Sequence, residues 1–423
     1  MFIDEQIQNL QRRLKSIEQH PRADYLKSNV VRYELELETY IHVAEAWKAG
    51  KPFGVLRGIE PLTYALGFEY EGYIGWGDRV RDPQRYYNLA VSKFGFPEHT
   101  CDRTMIALGL YLSGEVPTPR LFTAMRIPCD PERWSAMAAA KYTGALFFEL
   151  SRLNSNDYEN IHAGAEQVGE MIEFAEKSIP GVKYDEAKLI ELLQIDQQAY
   201  DYFHETYALR KKIPCPISPQ DSFRLVTTPS RYPNPQKALD YCKMYRDELF
   251  ERADKGTEGA SEEKLRVAWL ATGPYGRSTF DLLVKKGVSL VWFHYGAAAH
   301  SFGVIKSDYG DMLYGQKLTP LEELVRMRQW SANTWGGTSE DWLDTLVQIC
   351  RELKVDAVVD FLQVGCVVTK NLKRVTAQRL RQELNIPTLD LEGREFFGTE
   401  AATIEMNKRL EEFLDLCIAN KTK

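Results

Sequence analysis

From Ile3 to about Gly50 apolar residues recur at helical spacing in a charged background, as at Leu26, Val30, Val31, Leu35 and Leu37. Residues 1–50 are therefore predicted to be a helical lead-in that packs against something larger. From 51 to about 155 the pattern changes. Short apolar runs alternate with helical stretches at Phe53–Leu56, Pro61–Leu66, Leu121–Ile127, Trp134–Lys141 and Ala145–Leu150, which predicts a mostly parallel sheet with crossover helices. Residues 156–260 read as a helical middle section. Its long amphipathic stretches, Glu159–Lys177 and Asp185–Arg210, are separated by the stop Ile179-Pro180-Gly181. Pro214, Pro216 and Pro219 then mark a loop, and Asn234–Lys255 is a further helix before the polar run Gly256–Glu263. Residues 261–423 repeat the alternation at Leu265–Leu270, Ser278–Lys285, Val288–Phe293, Ser339–Leu353, Ala357–Leu362, Lys370–Leu384, Pro387–Leu391 and Ala401–Ile418. The fold expected is α/β, with two doubly wound, flavodoxin- or Rossmann-like domains. In such sheets ligands bind beyond the carboxyl ends of the strands.

Charge narrows the function classes. The 423 residues include 53 basic and 60 acidic ones, a net charge of −7, spread along the chain with no basic face for nucleic acid or an anionic membrane. The start, Met-Phe-Ile-Asp-Glu-Gln, lacks the basic and apolar regions of a secretion signal, so the cytoplasm is the expected location. Apolar runs such as Ala357–Leu362 fall far short of the roughly 18 residues that cross a bilayer.

The seven cysteines are scattered and, in a reducing compartment, are not expected to form disulfides. Cys242, Cys350 and Cys417 fall inside helical stretches, where cysteine serves as a small buried apolar residue. Cys215, between two prolines, has no evident partner. Cys101, Cys129 and Cys366 differ from these, because each is expected at the opening of a helix, two of them after a strand. There the helix dipole and free N–H groups are expected to lower a thiol pKa and to suit a negatively charged cluster. Their spacing matches neither a ferredoxin nor a zinc ribbon. Taken alone, the cysteines leave a shared metal site and plain burial both open.

The order of features resembles the 2-hydroxyacyl-CoA dehydratase and benzoyl-CoA reductase family, of the 2-hydroxyglutaryl-CoA dehydratase D-component type, from about residue 50 to the C-terminus. The stretch Gly58-Ile59-Glu60-Pro61-Leu62-Thr63-Tyr64-Ala65-Leu66-Gly67-Phe68 is similar to the family's acidic pair followed by Leu, Tyr-Ala and Gly-Phe. Cys101 with a helix to Gly109, Ile127-Pro128-Cys129-Asp130, and Cys366 before Ile386–Leu391 and Glu392-Gly393 resemble the family's three cysteines in order. Leu270-Ala271-Thr272-Gly273-Pro274 resembles its first C-terminal strand and Gly-Pro loop. Around the third cysteine, Gln363-Val364-Gly365-Cys366-Val367-Val368 departs from the Phe-Cys-Asp type of many dehydratase subunits, so the acyl group is not carried over.

The resemblance implies a 4Fe-4S cluster on Cys101, Cys129 and Cys366, with one iron open to the thioester carbonyl of an acyl-CoA. One electron would then yield a ketyl that expels water from a 2-hydroxyacyl-CoA. It also implies a related second subunit, in a heterodimer, and a separate ATP-hydrolysing iron–sulfur activator, since this chain has no Gly-x-x-x-x-Gly-Lys-Ser/Thr loop. Glu60 is a candidate acid or base near the substrate, or a stabiliser of the following helix N-terminus, the role favoured slightly. His99 can face a cluster or simply be solvated. His294 and His300 sit at the ligand edge of the second sheet. Tyr70, Tyr73 and Trp76, with Gly72, Gly75 and Gly77, can line an acyl pocket or pack a core. Trp330, Trp335 and Trp342 suit ordinary packing. The competing functions are a benzoyl-CoA reductase subunit, a non-catalytic electron-relay or assembly subunit and, last, a nucleotide- or sugar-binding pair of domains whose cysteines are core.

Overall fold

The computed structural model describes the chain except residues 1, 21–25, 72–79, 126–128, 152–157, 223–227, 257–258, 260–261, 271–272, 274–276, 294–311, 314–315, 328–338, 367–371, 397, 399 and 422–423. His294, His300, Tyr73, Trp76, Gly72, Gly75, Gly77, Trp330 and Trp335 lie outside the described residues. Two helices, Phe2–Gln19 and Lys27–Lys48, lead into strand β1, Phe53–Leu56. With β2 (Glu69–Tyr70), β3 (Leu121–Met125) and β4 (Leu146–Leu150) it forms a four-stranded parallel sheet in the order β2-β1-β3-β4. A second parallel sheet contains β5 (Leu265–Leu270), β6 (Val288–Phe293), β9 (Ala357–Gln363) and β10 (Thr388–Gly393), in the order β10-β9-β5-β6. Between β6 and β9 in chain order, β7 (Met312–Leu313) and β8 (Gln316–Lys317) form a separate antiparallel ribbon. The mixed α/β, doubly wound architecture is the one expected from the alternation of apolar runs.

Alternating strand residues explain why both faces of each sheet are covered. Phe53, Val55, Phe122 and Ala124 face a core shared with the two N-terminal helices and with Pro83–Phe94, Asp102–Ser113 and Asp130–Thr143. Leu56, Leu121 and Leu150 face the opposite core, closed by Tyr158–Ser178 and by Leu189 and Leu193 of the helix Glu186–Arg210. That same long helix then contributes Ile195, Ala199 and Leu209 to the core under Ala268, Trp292 and Val358 of the second sheet. The last core collects Val267, Trp269, Leu290 and Phe361 beneath Arg277–Lys285 and Glu400–Lys421. Burying each such large side chain contributes about 1.5–3 kcal/mol, so the helix Glu186–Arg210 is tied to both sheets by its own apolar stripe.

Helix starts follow local chemistry. Asp82, Asp185 and Asn234 accept hydrogen bonds from the N–H groups of Arg85, Lys188 and Lys237, at 3.2, 3.0 and 3.1 Å. Such caps are each worth about 1 kcal/mol. The helix Pro83–Phe94 and the two-residue β2 are elements that the apolar pattern did not single out. Gly109 allows its helix to lie against Pro83–Phe94, since a Cβ there would fall 2.1 Å from the Tyr86 carbonyl oxygen. Among the described residues no helix is long and apolar enough to cross a membrane.

Candidate functional site

In each sheet the strand order reverses beside the first strand laid down, between β1 and β3 and between β5 and β9. A crevice opens at the carboxyl ends of such strands. Arg57 and Glu60 follow β1, Cys129 follows β3, and Cys366 follows β9.

The two switch points are brought against each other by the helix that starts at Asp102. Asp102 is buried, and its carboxylate accepts hydrogen bonds from the Gln363 side-chain amide and, at 3.0 Å, from the Phe396 N–H. Arg103, next in sequence, is paired with Glu395. Gly365, at φ +84°, lies so close to the His99–Cys101 backbone that a Cβ would sit 2.4 Å from both the Cys101 nitrogen and the His99 oxygen. Cys366 turns back at once, its N–H bonded to the Gln363 carbonyl at 3.0 Å.

As a result the thiols of Cys101, Cys129 and Cys366 stand within electrostatic reach of one another. Burial, then the Asp102 and Glu395 carboxylates, push the Cys101 thiol up to about 12, with Cys366 adding to the effect. Burial likewise raises Cys129 well above the usual thiol range, aided by Glu132, Cys101 and Cys366. For Cys101 and Cys129 the expectation of a lowered thiol pKa at a helix N-terminus is thereby corrected. Cys101 and Cys129 do occupy the positions before Asp102–Ser113 and Asp130–Thr143, but loss of water and nearby carboxylates outweigh the dipole. Residues 367–371, which follow Cys366, lie outside the described residues, and the next described helix begins at Lys373. Among the described residues no group of three His, Cys, Asp or Glu side chains is placed to hold a metal ion.

Glu60 also departs from the favoured expectation. It precedes the short helix Pro61–Ala65, yet its side chain makes no capping bond. Its Oε1 instead accepts from Arg231 Nη2 at 2.7 Å and lies 3.9 Å from Arg57 Nη1. Arg57 donates through Nε to Glu132, the carboxylate that also acts on Cys129. Burial works against the Arg57 charge, but Glu132 and Glu60 more than offset it and hold the guanidinium above its ordinary value. Burial raises the Tyr70 phenol, which feels Arg231, Glu60 and Arg57 in turn. One polar group thus joins Glu60, Arg57, Arg231, Tyr70 and Glu132 at the edge of the first sheet. Arg57 was findable as the residue directly after a buried strand, whereas nothing local to Arg231 marks it.

The remaining candidates are ordinary. His99 is exposed, as a solvated loop histidine would be. Cys215, Cys242, Cys350 and Cys417 are buried, and Cys215 lies in the core with its N–H bonded to Glu263 at 2.7 Å. Trp342 packs against the second core, its ring 6.1 Å from that of Trp292.

Residues 60–416 match the family model for "2-hydroxyglutaryl-CoA dehydratase, D-component". The chain is also similar to the "(R)-phenyllactyl-CoA dehydratase alpha subunit" of Clostridium sporogenes, at 22% identity over 252 residues. That match covers 58% of this chain and 57% of the relative, so it spans less than two thirds of the relative's length.

Proposed function

Because the chain belongs to the 2-hydroxyglutaryl-CoA dehydratase D-component family, we propose that it is the iron–sulfur subunit of a 2-hydroxyacyl-CoA dehydratase. Cys101, Cys129 and Cys366 would be the protein ligands of a 4Fe-4S cluster. The observation that supports this reading is that the thiols of Cys129 after β3, Cys366 after β9 and Cys101 between the helices Pro83–Phe94 and Asp102–Ser113 lie within electrostatic reach of one another. The donor set fits the group: all three are cysteines, and a cluster takes one thiolate per iron, so the thiols need not surround a single ion. When bound, such a cluster supplies single-electron chemistry and an open iron that polarises the thioester carbonyl.

The residues of this chain do the rest. Asp102, with Gln363 and the Phe396 N–H, holds the Cys101 turn against the end of β9. Removing water from a 2-hydroxyacyl-CoA takes a hydroxyl from C2 and a proton from C3. A carboxylate that accepts the C3 proton and passes it to the departing hydroxide balances the reaction and returns to its starting form. Glu60, buried at the edge of the crevice, is the candidate for that proton carrier. The elimination is redox-neutral overall, so the initiating electron must come from outside the chain. An ATP-dependent iron–sulfur activator and a related second subunit are the partners this requires, and a reducing cytoplasm suits free thiols.

Iron and acid-labile sulfide per chain test the reading. Anaerobically reconstituted wild type should carry about four irons, and Cys101→Ala, Cys129→Ala and Cys366→Ala should lose them while Cys350→Ala keeps them. Iron-free wild type after reconstitution would end the radical-enzyme reading, and ring-reduced benzoyl-CoA as product would make the complex a reductase instead.

A further inference from the structure

Glu60 and Arg231 are separated by 171 residues and by the whole of β3, β4 and two long helices, yet they share a 2.7 Å hydrogen bond. The Glu60 side chain is 3% exposed. A carboxylate so withdrawn from water keeps its charge only with cationic, hydrogen-bonded company. Arg57 supplies part of the charge, but its Nε is committed to Glu132 and its Nη1 is 3.9 Å from Glu60, outside hydrogen-bond range. Of the two guanidiniums, only that of Arg231 makes a directional bond to Glu60.

The guanidinium is presented from a fixed base. Arg231 ends the turn Pro229–Arg231, and the preceding Ser230 donates to both oxygens of buried Asp196, from N–H to Oδ1 at 2.9 Å and from Oγ to Oδ2 at 2.6 Å. Asp196 belongs to the helix Glu186–Arg210, whose Leu189 and Leu193 pack beneath the first sheet. Position is thereby transmitted from the sheet, through Asp196 and Ser230, to the side chain that meets Glu60. A buried ion pair is weak evidence for stability by itself, since apolar replacement is often neutral or better. The pair sits instead where the strand order reverses, with Cys129 following the neighbouring strand.

We propose that Arg231 is a positioning residue for Glu60, fixing the direction and charge of the carboxylate that carries the proton in the elimination. The inference rests on the dehydratase reading and deepens it: the helical middle section completes the site as well as covering the sheets.

The test is a double-mutant cycle on the complete complex, reconstituted anaerobically with its partner subunit and electron donor, with phenyllactyl-CoA and 2-hydroxyglutaryl-CoA as probes. Arg231→Ala should lower kcat roughly tenfold or more with KM little changed, and Arg231→Lys, which restores one donor and the charge, should recover part of the loss. In a Glu60→Gln background Arg231→Ala should cost nothing further, because its effect passes through Glu60. Equal losses in both backgrounds, an effect on KM alone, or an unchanged kcat would overturn the proposal while leaving the dehydratase reading in place. Should Arg231→Ala fail to fold, Arg231→Lys carries the same cycle. A wild-type complex that holds iron but converts neither thioester would overturn the dehydratase reading, and the positioning role with it.

Discussion

Arg103 and Glu395, 292 residues apart, meet as a two-pronged ion pair, with Nη2 to Oε1 at 2.6 Å and Nε to Oε2 at 3.3 Å. The guanidinium also lies 4.9 Å from the centre of the Phe396 ring. Both side chains are buried, so the pair ties the helix following Cys101 to the segment following β10.

Breaking that pair from one side leaves a buried charge uncompensated. Arg103→Ala and Glu395→Ala should each destabilise the protein by about 3–5 kcal/mol, read as a lower urea midpoint. A change below about 1 kcal/mol in both would mean that the pair does not hold the two sheets together.

Gly365 is constrained twice, by its positive φ and by contact with the His99–Cys101 backbone. Gly365→Ala should add about 1–2 kcal/mol of backbone strain and push Cys366 away from Cys101. On the proposed cluster assignment, reconstituted iron should fall well below wild type while the circular dichroism of the helices persists. Full iron loading in this variant would show that the close approach is dispensable.

Asp360 is buried in β9, paired in register with Asp390 of β10. Burial, then the Asp390 charge, push its carboxyl up to about 7, with Lys373 opposing. In the unfolded chain the value is about 3.9. Below that pH both states hold the proton and the full contribution is present. As pH rises towards 7 the unfolded chain ionises first, so stability is lost at up to about 1.4 kcal/mol per unit, levelling off above the folded value. Asp360→Asn removes this titration and should show a flatter stability profile between pH 4 and 7, with the larger gain over wild type at neutral pH. Parallel urea-midpoint profiles for the two proteins would rule out Asp360 as the source.

Much of the architecture was legible because it is written in neighbouring residues. The runs Leu265–Leu270 and Val288–Phe293 are apolar except for the buried Arg266 and Ser289, because helices cover both faces of the sheet, and both are observed as strands with those bounds. Asp185 and Asn234 announced helix starts through a bond made three residues away. The connections that carry Cys129 and Cys366 could likewise be placed at strand ends from local pattern alone.

What the chain could not disclose locally depends on distance or on competition. Glu60 stands where a cap would stand, and only the arrival of Arg231 from the middle section draws its carboxylate elsewhere. The pKa values of Cys101 and Cys129 are set by a contest between a helix dipole, visible in sequence, and burial beside Asp102, Glu395 and Glu132, which is not. Periodicity encodes which face of an element is buried, and so the sequence by itself determined most of the elements, their α/β class and the strand ends that bear Cys129 and Cys366. Which strand ends face one another depends on how two sheets and a shared helix pack, a long-range outcome that only the tertiary structure decided.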